Sequence, residues 1–235
     1  MTTFAEARLD LVRRPGLDGP GRRAALTQSA DVWLADLFAQ AKALTSYSSS
    51  HLEDKANNEK VIALLEDAVK IDPQFAEAHA KLGLAYVIRL FLFAPQETDL
   101  QQKAYLAIEH AFRLNPNLAE AYEARGRLRW TAFNHFPHQD AIRDFRQALK
   151  INPDLRSANF QISKIYLGRG DTVLAEKYFK QGMVGGNPTA EMLLVGIRIA
   201  RAQGDKNNES SYALLLRNKY PNSEEAKKLR EEAGQ

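Results

Sequence analysis

Apolar residues recur in this chain at intervals of three and four positions, the spacing of one face of an α-helix. The clearest example is the stripe formed by Val61, Leu64, Leu65, Ala68 and Ile71, with mostly polar or charged residues between them. The same kind of segment follows several prolines farther along the chain. The pattern therefore predicts an all-α protein built from amphipathic helices.

A short motif repeats at the ends of these segments: a basic residue, then Ile or Leu, then Asp or Asn, then proline. It ends at Pro73, Pro116 and Pro153, and weaker versions end at Pro188 and Pro221. These prolines are 43, 37, 35 and 33 residues apart. A recurrence of this length is typical of a solenoid, in which one small structural unit is stacked many times.

Proline cannot continue a helix, but it can open the next one, where the missing amide donor costs nothing. Each unit is therefore predicted to be a helical hairpin, and the hairpins to stack side by side. Residues 1–30 are predicted to be a polar leader with a Pro/Gly turn at residues 17–21, and residues 31–235 the helical repeat domain. The predicted units are residues 31–73, 74–116, 117–153, 154–187 and 188–221, followed by a charged terminal helix over 222–235.

The first unit is expected to be degenerate. Ser29 or Asp31 is predicted to cap a helix that runs through Tyr47. Ser50 with Glu53 forms a capping-box pattern before the next helix.

The residues inside the units resemble the tetratricopeptide repeat family. That family carries a large residue, then Leu-Gly and Tyr in the first helix of each hairpin, and Ala, an aromatic or aliphatic residue, Ala and Pro in the second. The third unit departs from this pattern with Arg125 and Arg129 in place of Leu and Tyr. The resemblance implies an alpha-alpha superhelix of about four to five hairpins with a carboxy-terminal capping helix. The second unit supplies His79, Leu82, Gly83, Tyr86, Ala104, Ile108, Ala111 and Pro116.

In the tetratricopeptide family, the first helix of each hairpin lines a concave groove that binds a protein or peptide. The family register implies a groove here in which aromatic and aliphatic anchors are flanked by charges. The alternative for Trp130 and Phe160 is that they only pack against neighbouring helices. The implied groove residues are Glu77, Leu84, Val87, Ile88, Glu120, Glu123, Arg127, Trp130, Phe160, Lys164, Leu193, Ile197 and Arg201.

Two further segments resemble other families. Residues from Pro15 to Phe38 are similar to the leader of bacterial uridylyltransferases that modify the PII protein, but no nucleotidyltransferase motif follows them. Residues from Ile199 to Leu229 are similar to the end of the type IV pilus biogenesis lipoproteins, which help an outer-membrane secretin to assemble. Because different parts resemble different families, a mosaic, chimeric or designed chain is a further hypothesis.

The composition limits the remaining functions. The formal net charge is +3, from 32 basic and 29 acidic side chains, which is too even to indicate nucleic acid as the ligand. There is no cysteine, so thiolate chemistry and disulfides are excluded. The longest apolar stretch, from Val87 to Pro95, is interrupted by Arg89, so no direct membrane insertion is expected. A cytoplasmic location is expected, or a periplasmic one if a signal peptide or lipid anchor has been removed.

Candidate catalytic or metal sites are few. His135, His138 and Asp140 form a loose cluster, but a metal site normally needs a convergent set of three or four ligands, and a loop that packs its aromatic residue inward explains them better. No phosphate-binding glycine loop is present. The sequence therefore predicts no active site, no metal and no cofactor.

The leading hypothesis is a non-enzymatic scaffold that binds a protein or peptide, with bacterial type IV pilus or secretin assembly as its most specific version. The alternatives are a designed or chimeric solenoid without an evolved ligand, and a non-catalytic piece related to the PII uridylyltransferases.

Overall fold

The computed structural model describes residues 19–46, 55–131 and 134–233, and within these ranges it contains eleven α-helices and no strand. The all-α expectation is confirmed for this part of the chain. The capping-box pattern at Ser50 and Glu53 and the first eighteen residues of the expected leader lie outside the described residues. The helices are α1 (Gly19–Ser46), α2 (Lys55–Ile71), α3 (Ala76–Leu92), α4 (Thr98–Leu114), α5 (Ala119–Arg129), α6 (His138–Ile151), α7 (Arg156–Gly168), α8 (Thr172–Met183), α9 (Ala190–Gln203), α10 (Lys206–Lys219) and α11 (Glu224–Ala233).

Consecutive helices pair into hairpins: α1 with α2, α3 with α4, α5 with α6, α7 with α8, and α9 with α10. Each hairpin also contacts the next one, because the second helix of one hairpin packs against the first helix of the following hairpin. The final helix α11 packs against α9 and α10. This is a solenoid, in which each unit is stabilised by its neighbours.

Helix α1 begins at Gly19, earlier than the expected start at Ser29 or Asp31. The Pro and Gly residues of this segment were expected to form a turn ahead of the helix. Pro20 instead lies in the first helical turn, where no intrahelical hydrogen-bond donor is needed.

The Asp-Pro and Asn-Pro junctions have a common geometry. After α2, the carboxylate of Asp72 accepts a hydrogen bond from the backbone N–H of Gln74 at 2.8 Å. After α4 and α6, the side chains of Asn115 and Asn152 accept in the same way from the residue two positions later, at 3.0 and 3.1 Å. The repeated Asp or Asn therefore forms an Asx turn that reverses the chain, and the proline after it prevents the helix from continuing.

Glycine allows the two helices of a hairpin to approach closely. A Cβ atom at Gly83 in α3 would lie 2.6 Å from Cγ1 of Ile108 in α4. A Cβ atom at Gly126 in α5 would lie 2.9 Å from the ring of Phe145 in α6. Both distances are shorter than a carbon–carbon contact allows, so only glycine fits without a shift of the neighbouring helix.

The buried apolar side chains form two main clusters that divide at the third hairpin. The first cluster runs from Leu37 in α1 to Leu128 in α5. The second begins with Ala141 in α6 and reaches Ile199 in α9. The two helices of the third hairpin therefore contribute to different clusters, and this hairpin joins the two halves of the solenoid.

A pair of histidine rings packs between α3 and α4. The rings of His79 and His110 are 4.3 Å apart and tilted by 32°, and Nη2 of Arg113 is 3.0 Å from Nδ1 of His110. Burial lowers the pKa of His79, and the charge of His110 lowers it further. The hydrogen bond with the carbonyl oxygen of Pro73 and the charge of Asp72 act in the opposite direction.

This depressed pKa makes stability depend on pH. Since the unfolded chain binds the His79 proton more tightly, we expect the free energy of unfolding to fall as the pH drops below the ordinary histidine value of 6.5. His79→Phe keeps a ring against His110 but cannot titrate. Urea denaturation of both proteins between about pH 5 and 7 measures the effect, because most carboxylates titrate below that range. We expect the free energy of unfolding to change less steeply with pH in the variant. Equal pH dependence in the two proteins would contradict the role of His79.

Candidate protein-binding face

The groove residues predicted in α3 differ widely in exposure. Glu77 is exposed and Leu84 is half-buried. Val87 and Ile88 are only 3% and 8% exposed, and Val87 belongs to the first apolar cluster. In α3, therefore, a charged and an aliphatic side chain reach the surface above a buried aliphatic base.

Helix α5 presents an internal ion pair. Nη2 of Arg127 lies 3.2 Å from Oε1 of Glu123, one helical turn away. Glu123 is nearly fully buried and Arg127 is half-buried, so the arginine covers the carboxylate. Glu120, one turn before Glu123, is half-buried and forms no ion pair with a described residue.

Trp130 directly follows α5, and its backbone N–H donates to the carbonyl oxygen of Gly126 at 3.1 Å. Its side chain is half-buried and packs against the second apolar cluster. The rings of Phe136 and His138 approach it edge-on, with centroids 6.4 and 6.5 Å away. The indole Nε1 is buried and donates to no acceptor among the described residues. Such a group leaves an unmet hydrogen bond, which costs about 1–3 kcal/mol.

Lys164 in α7 connects three helices. Its Nζ lies 5.7 Å from the ring centroids of both Trp130 and Phe160, within the range of cation–π attraction. The same Nζ is 2.5 Å from Oε1 of Glu191, at the start of α9. Phe160 is 6% exposed. Sequence reasoning missed Glu191, because a residue 27 positions away shows no local signal.

The loop after Trp130 contains two residues in the left-handed region of backbone space. His135 and Phe136 have φ values of 53° and 49°, which residues other than glycine adopt rarely. The backbone N–H of Phe136 donates to the carbonyl oxygen of Thr131 at 3.1 Å, which holds this conformation. Phe136 remains 42% exposed beside Trp130. The loop thus presents an aromatic ring outward, whereas the sequence suggested an inward-facing one.

The described helices do not include one with the length and apolar character that a membrane span requires. Among the described side chains, no group of three or more His, Asp or Glu residues is placed to hold a metal ion.

No protein-family model matches the sequence. One curated relative is the type IV pilus assembly protein PilF of Pseudomonas aeruginosa. It is 24% identical over 205 residues, which cover 76% of this chain and 80% of the relative.

Three solved structures resemble the fold. The structure of Pseudomonas aeruginosa PilF has a TM-score of 0.51 at 21% identity and covers 86% of this chain and 99% of its own. A tetratricopeptide repeat protein of Parabacteroides merdae has a TM-score of 0.55 at 18% identity and covers 96% and 90%. A third, of Thermus thermophilus, has a TM-score of 0.55 at 16% identity and covers 72% and 86%. This chain has the tetratricopeptide repeat fold.

The tetratricopeptide register explains the close glycine contacts, because Gly83 and Gly126 occupy its Gly position and face the aliphatic or aromatic residue of the second helix. The predicted resemblance of the tail to the pilus biogenesis proteins is also confirmed, and the match to PilF extends well beyond the tail. The resemblance of residues 15–38 to a uridylyltransferase leader stays a prediction.

The third repeat replaces the usual Leu and Tyr of its first helix by an ion-pair network. Nε and Nη2 of Arg125 donate to the two carboxylate oxygens of Asp144 at 3.1 and 2.8 Å. Nη1 of Arg129 lies 3.0 Å from Oδ2 of the same carboxylate. The Asp144 side chain is 3% exposed, so two arginines compensate one buried charge. The guanidinium of Arg125 also lies 4.3 Å from the Phe112 ring centroid, over which it stacks.

Three residues expected in the groove are either buried or engaged in ion pairs within the protein. Leu193 and Ile197 are 0% exposed and share a cluster with Ala226 and Leu229 of α11. Arg201 is exposed, but its guanidinium is paired with Glu209 and Glu232, at 2.8 and 2.9 Å. The physical reason is that the final helix packs over α9 and covers the face that a partner would need.

Proposed function

We propose that this protein is a non-enzymatic scaffold that binds a protein or peptide on the first-helix face of its second, third and fourth hairpins. This binding face excludes Leu193, Ile197 and Arg201, because α11 covers or pairs them. Val87, Ile88 and Glu123 form its buried base. The nearly buried Phe160 lies among the members that reach the surface. Those members are Glu77, Leu84, Glu120, Arg127, Trp130 and Lys164.

The arrangement of Trp130, Lys164 and Phe160 is the observation that supports this proposal most. An aromatic pair with a charge between them joins two hairpins, and Trp130 brings an N–H without an acceptor. Large aromatic side chains surrounded by partly desolvated charges carry most of the energy at protein interfaces. A carbonyl oxygen of a bound peptide would complete the hydrogen bonding of the indole after a small displacement of its neighbours.

The chemistry of the face fits a mixed apolar and polar peptide. The apolar side chains offer anchor sites, and the opposite charges of Glu120 on one side and of Arg127 and Lys164 on the other fix the direction in which a segment lies. We propose a component of type IV pilus or secretin assembly as the partner, because the relative in Pseudomonas aeruginosa is a type IV pilus assembly protein.

Capture experiments with two variants test this function. The immobilised chain is incubated with a bacterial lysate, captured proteins are identified by mass spectrometry, and their affinities are then measured with purified components. We expect Trp130→Ala to weaken the specific partner by about thirtyfold or more, because truncation of a central aromatic anchor has effects of this size. Lys164→Gln should weaken it less, because the aromatic pair remains.

Tyr105→Ala is the matched control, since Tyr105 is an aromatic residue that is 51% exposed on the second helix α4. It should bind as the unaltered chain does, and all variants should keep their helical circular dichroism. Equal binding by the unaltered chain, Trp130→Ala and Lys164→Gln would exclude this face. The absence of any saturable partner would favour a solenoid without an evolved ligand. Transfer of labelled nucleotide to PII protein would favour the uridylyltransferase hypothesis, and we expect none.

A further inference from the structure

A group of aromatic and basic side chains connects α6 of the third hairpin with α7 and α8 of the fourth. The rings of Tyr166 in α7 and Tyr178 in α8 stack with centroids 5.8 Å apart and an angle of 14° between their planes. Arg146 of α6 joins the two hydroxyl groups. Its Nη2 donates to the Tyr166 hydroxyl at 3.1 Å and its Nε to the Tyr178 hydroxyl at 3.3 Å. We name Arg146, Tyr166, Tyr178, Arg169 and Lys177 the tyrosine–arginine cluster.

Two more cations flank the tyrosine pair. The guanidinium of Arg169 lies 5.9 Å from the Tyr166 ring centroid, and Nζ of Lys177 lies 5.9 Å from that of Tyr178. Arg146, Arg169 and Lys177 are all exposed. None of these three cations forms an ion pair with a carboxylate in the described part of the chain, although other basic residues there do.

The carboxylates nearest in sequence are already engaged. Asp140 in α6 pairs with Arg143 at 3.0 Å, and Glu176 in α8 pairs with Lys180 at 2.6 Å. Asp144, two positions before Arg146 in α6, is buried against Arg125 and Arg129. Asp171, two positions after Arg169, accepts a hydrogen bond from the backbone N–H of Leu174 at the start of α8. The three cations of the cluster therefore have no ion-pair partner among the described acidic groups.

The tyrosine hydroxyls add directional hydrogen bonding. Each accepts a hydrogen bond from Arg146, and neither donates to another described residue. A hydroxyl that accepts from a guanidinium keeps its own proton for a further acceptor. Tyr166 is only 7% exposed, whereas Tyr178 is half-buried. The cluster thus offers the O–H of Tyr178, a guanidinium and two flanking cations, which together match negatively charged oxygen atoms.

We propose that the tyrosine–arginine cluster binds an acidic segment of a protein partner through its carboxylates. The three cations come from α6, from the residue that follows α7, and from α8. They are thus distributed along the surface, and a row of carboxylates fits this distribution better than a single compact anion. The inference does not depend on the binding face, because the two surfaces share no residue.

Binding of a fluorescein-labelled oligoglutamate peptide, measured by fluorescence anisotropy with the full chain, tests the proposal. We expect saturable binding that weakens as salt is added, and no binding of labelled oligolysine. Arg146→Gln should lower the affinity about tenfold, and Tyr178→Phe about threefold, because a hydrogen bond to a charged group is lost in each case.

Arg143→Gln is the matched control on the same helix, because the Arg143 side chain is 74% exposed and already paired with Asp140. It should change the affinity less than about twofold. Equal losses in Arg143→Gln and Arg146→Gln would overturn the proposal in favour of general charge attraction. Unchanged affinity in Arg146→Gln, with a lower melting temperature, would show that the cluster only stabilises the packing of the hairpins.

If Arg146→Gln fails to fold, Lys177→Gln replaces it, because the exposed Lys177 can be changed without altering the core. The same tenfold loss is then expected, and unchanged affinity would overturn the proposal.

Discussion

Phe145→Ala is expected to lower the free energy of unfolding by about 3–5 kcal/mol, the usual cost of truncating a buried phenylalanine. The Phe145 side chain is 0% exposed and fills the space that Gly126 leaves in the opposite helix. Because this contact lies where the two apolar clusters divide, its loss also weakens the stacking of the two halves. Chemical denaturation followed by circular dichroism measures the change.

A second substitution makes the test specific to this contact. Gly126→Ala alone should destabilise the protein, since its Cβ would lie 2.9 Å from the Phe145 ring. In a chain that already carries Phe145→Ala, the same change should be neutral or stabilising, because the ring is gone and alanine favours a helix by up to about 1 kcal/mol. Leu106→Ala, at a 53% exposed position of α4, is the control and should have little effect. Additive effects of the two core changes would contradict the described packing.

Asp144→Ala is expected to lower the free energy of unfolding by about 2–3 kcal/mol. Breaking a fully buried ion pair costs about 3–5 kcal/mol. The expected loss is smaller here because water reaches part of both arginines and weakens the attraction. Arg125 and Arg129 would lose the only carboxylate with which either forms an ion pair within the described residues. Denaturation with urea, which leaves ion pairs unscreened, measures the loss.

Asp140→Ala is the matched control, because Asp140 lies one turn earlier in α6 and pairs with Arg143 at the surface. An exposed pair of this kind contributes at most about 1 kcal/mol, so a small change is expected. If Asp144→Ala and Asp140→Ala lowered the free energy of unfolding by the same small amount, the ion pairs of Asp144 would not stabilise the third hairpin.

The repeated units were predictable because each one carries its own local signals. Helical spacing of apolar residues, an Asp or Asn before proline, and a glycine opposite a large residue are all visible within one unit. The sequence also showed that Arg125 and Arg129 depart from the family pattern. It did not show that Asp144 forms ion pairs with both arginines, because that pairing depends on how α5 and α6 face each other.

At both ends of the array, the structure shows contacts that local sequence patterns do not define, and for the same physical reason. The charged tail was expected to be a helix, but its two buried apolar residues, Ala226 and Leu229, did not indicate where it packs. Only the structure shows that it covers Leu193 and Ile197. Pro20 similarly fits either a turn or a first helical turn, and the neighbouring residues decide between them. Local patterns define units well, whereas contacts between units decide which faces remain open.

Hydrogen–deuterium exchange of the chain, alone and bound to its captured partner, tests whether the first helices of the third and fourth hairpins bind the partner. We expect slower exchange of backbone amides in α5 and α7, around Trp130 and Lys164, and no such slowing when Trp130→Ala is mixed with the same partner. Unchanged exchange in α5 and α7 on binding, with slowing confined to other helices, would contradict this expectation.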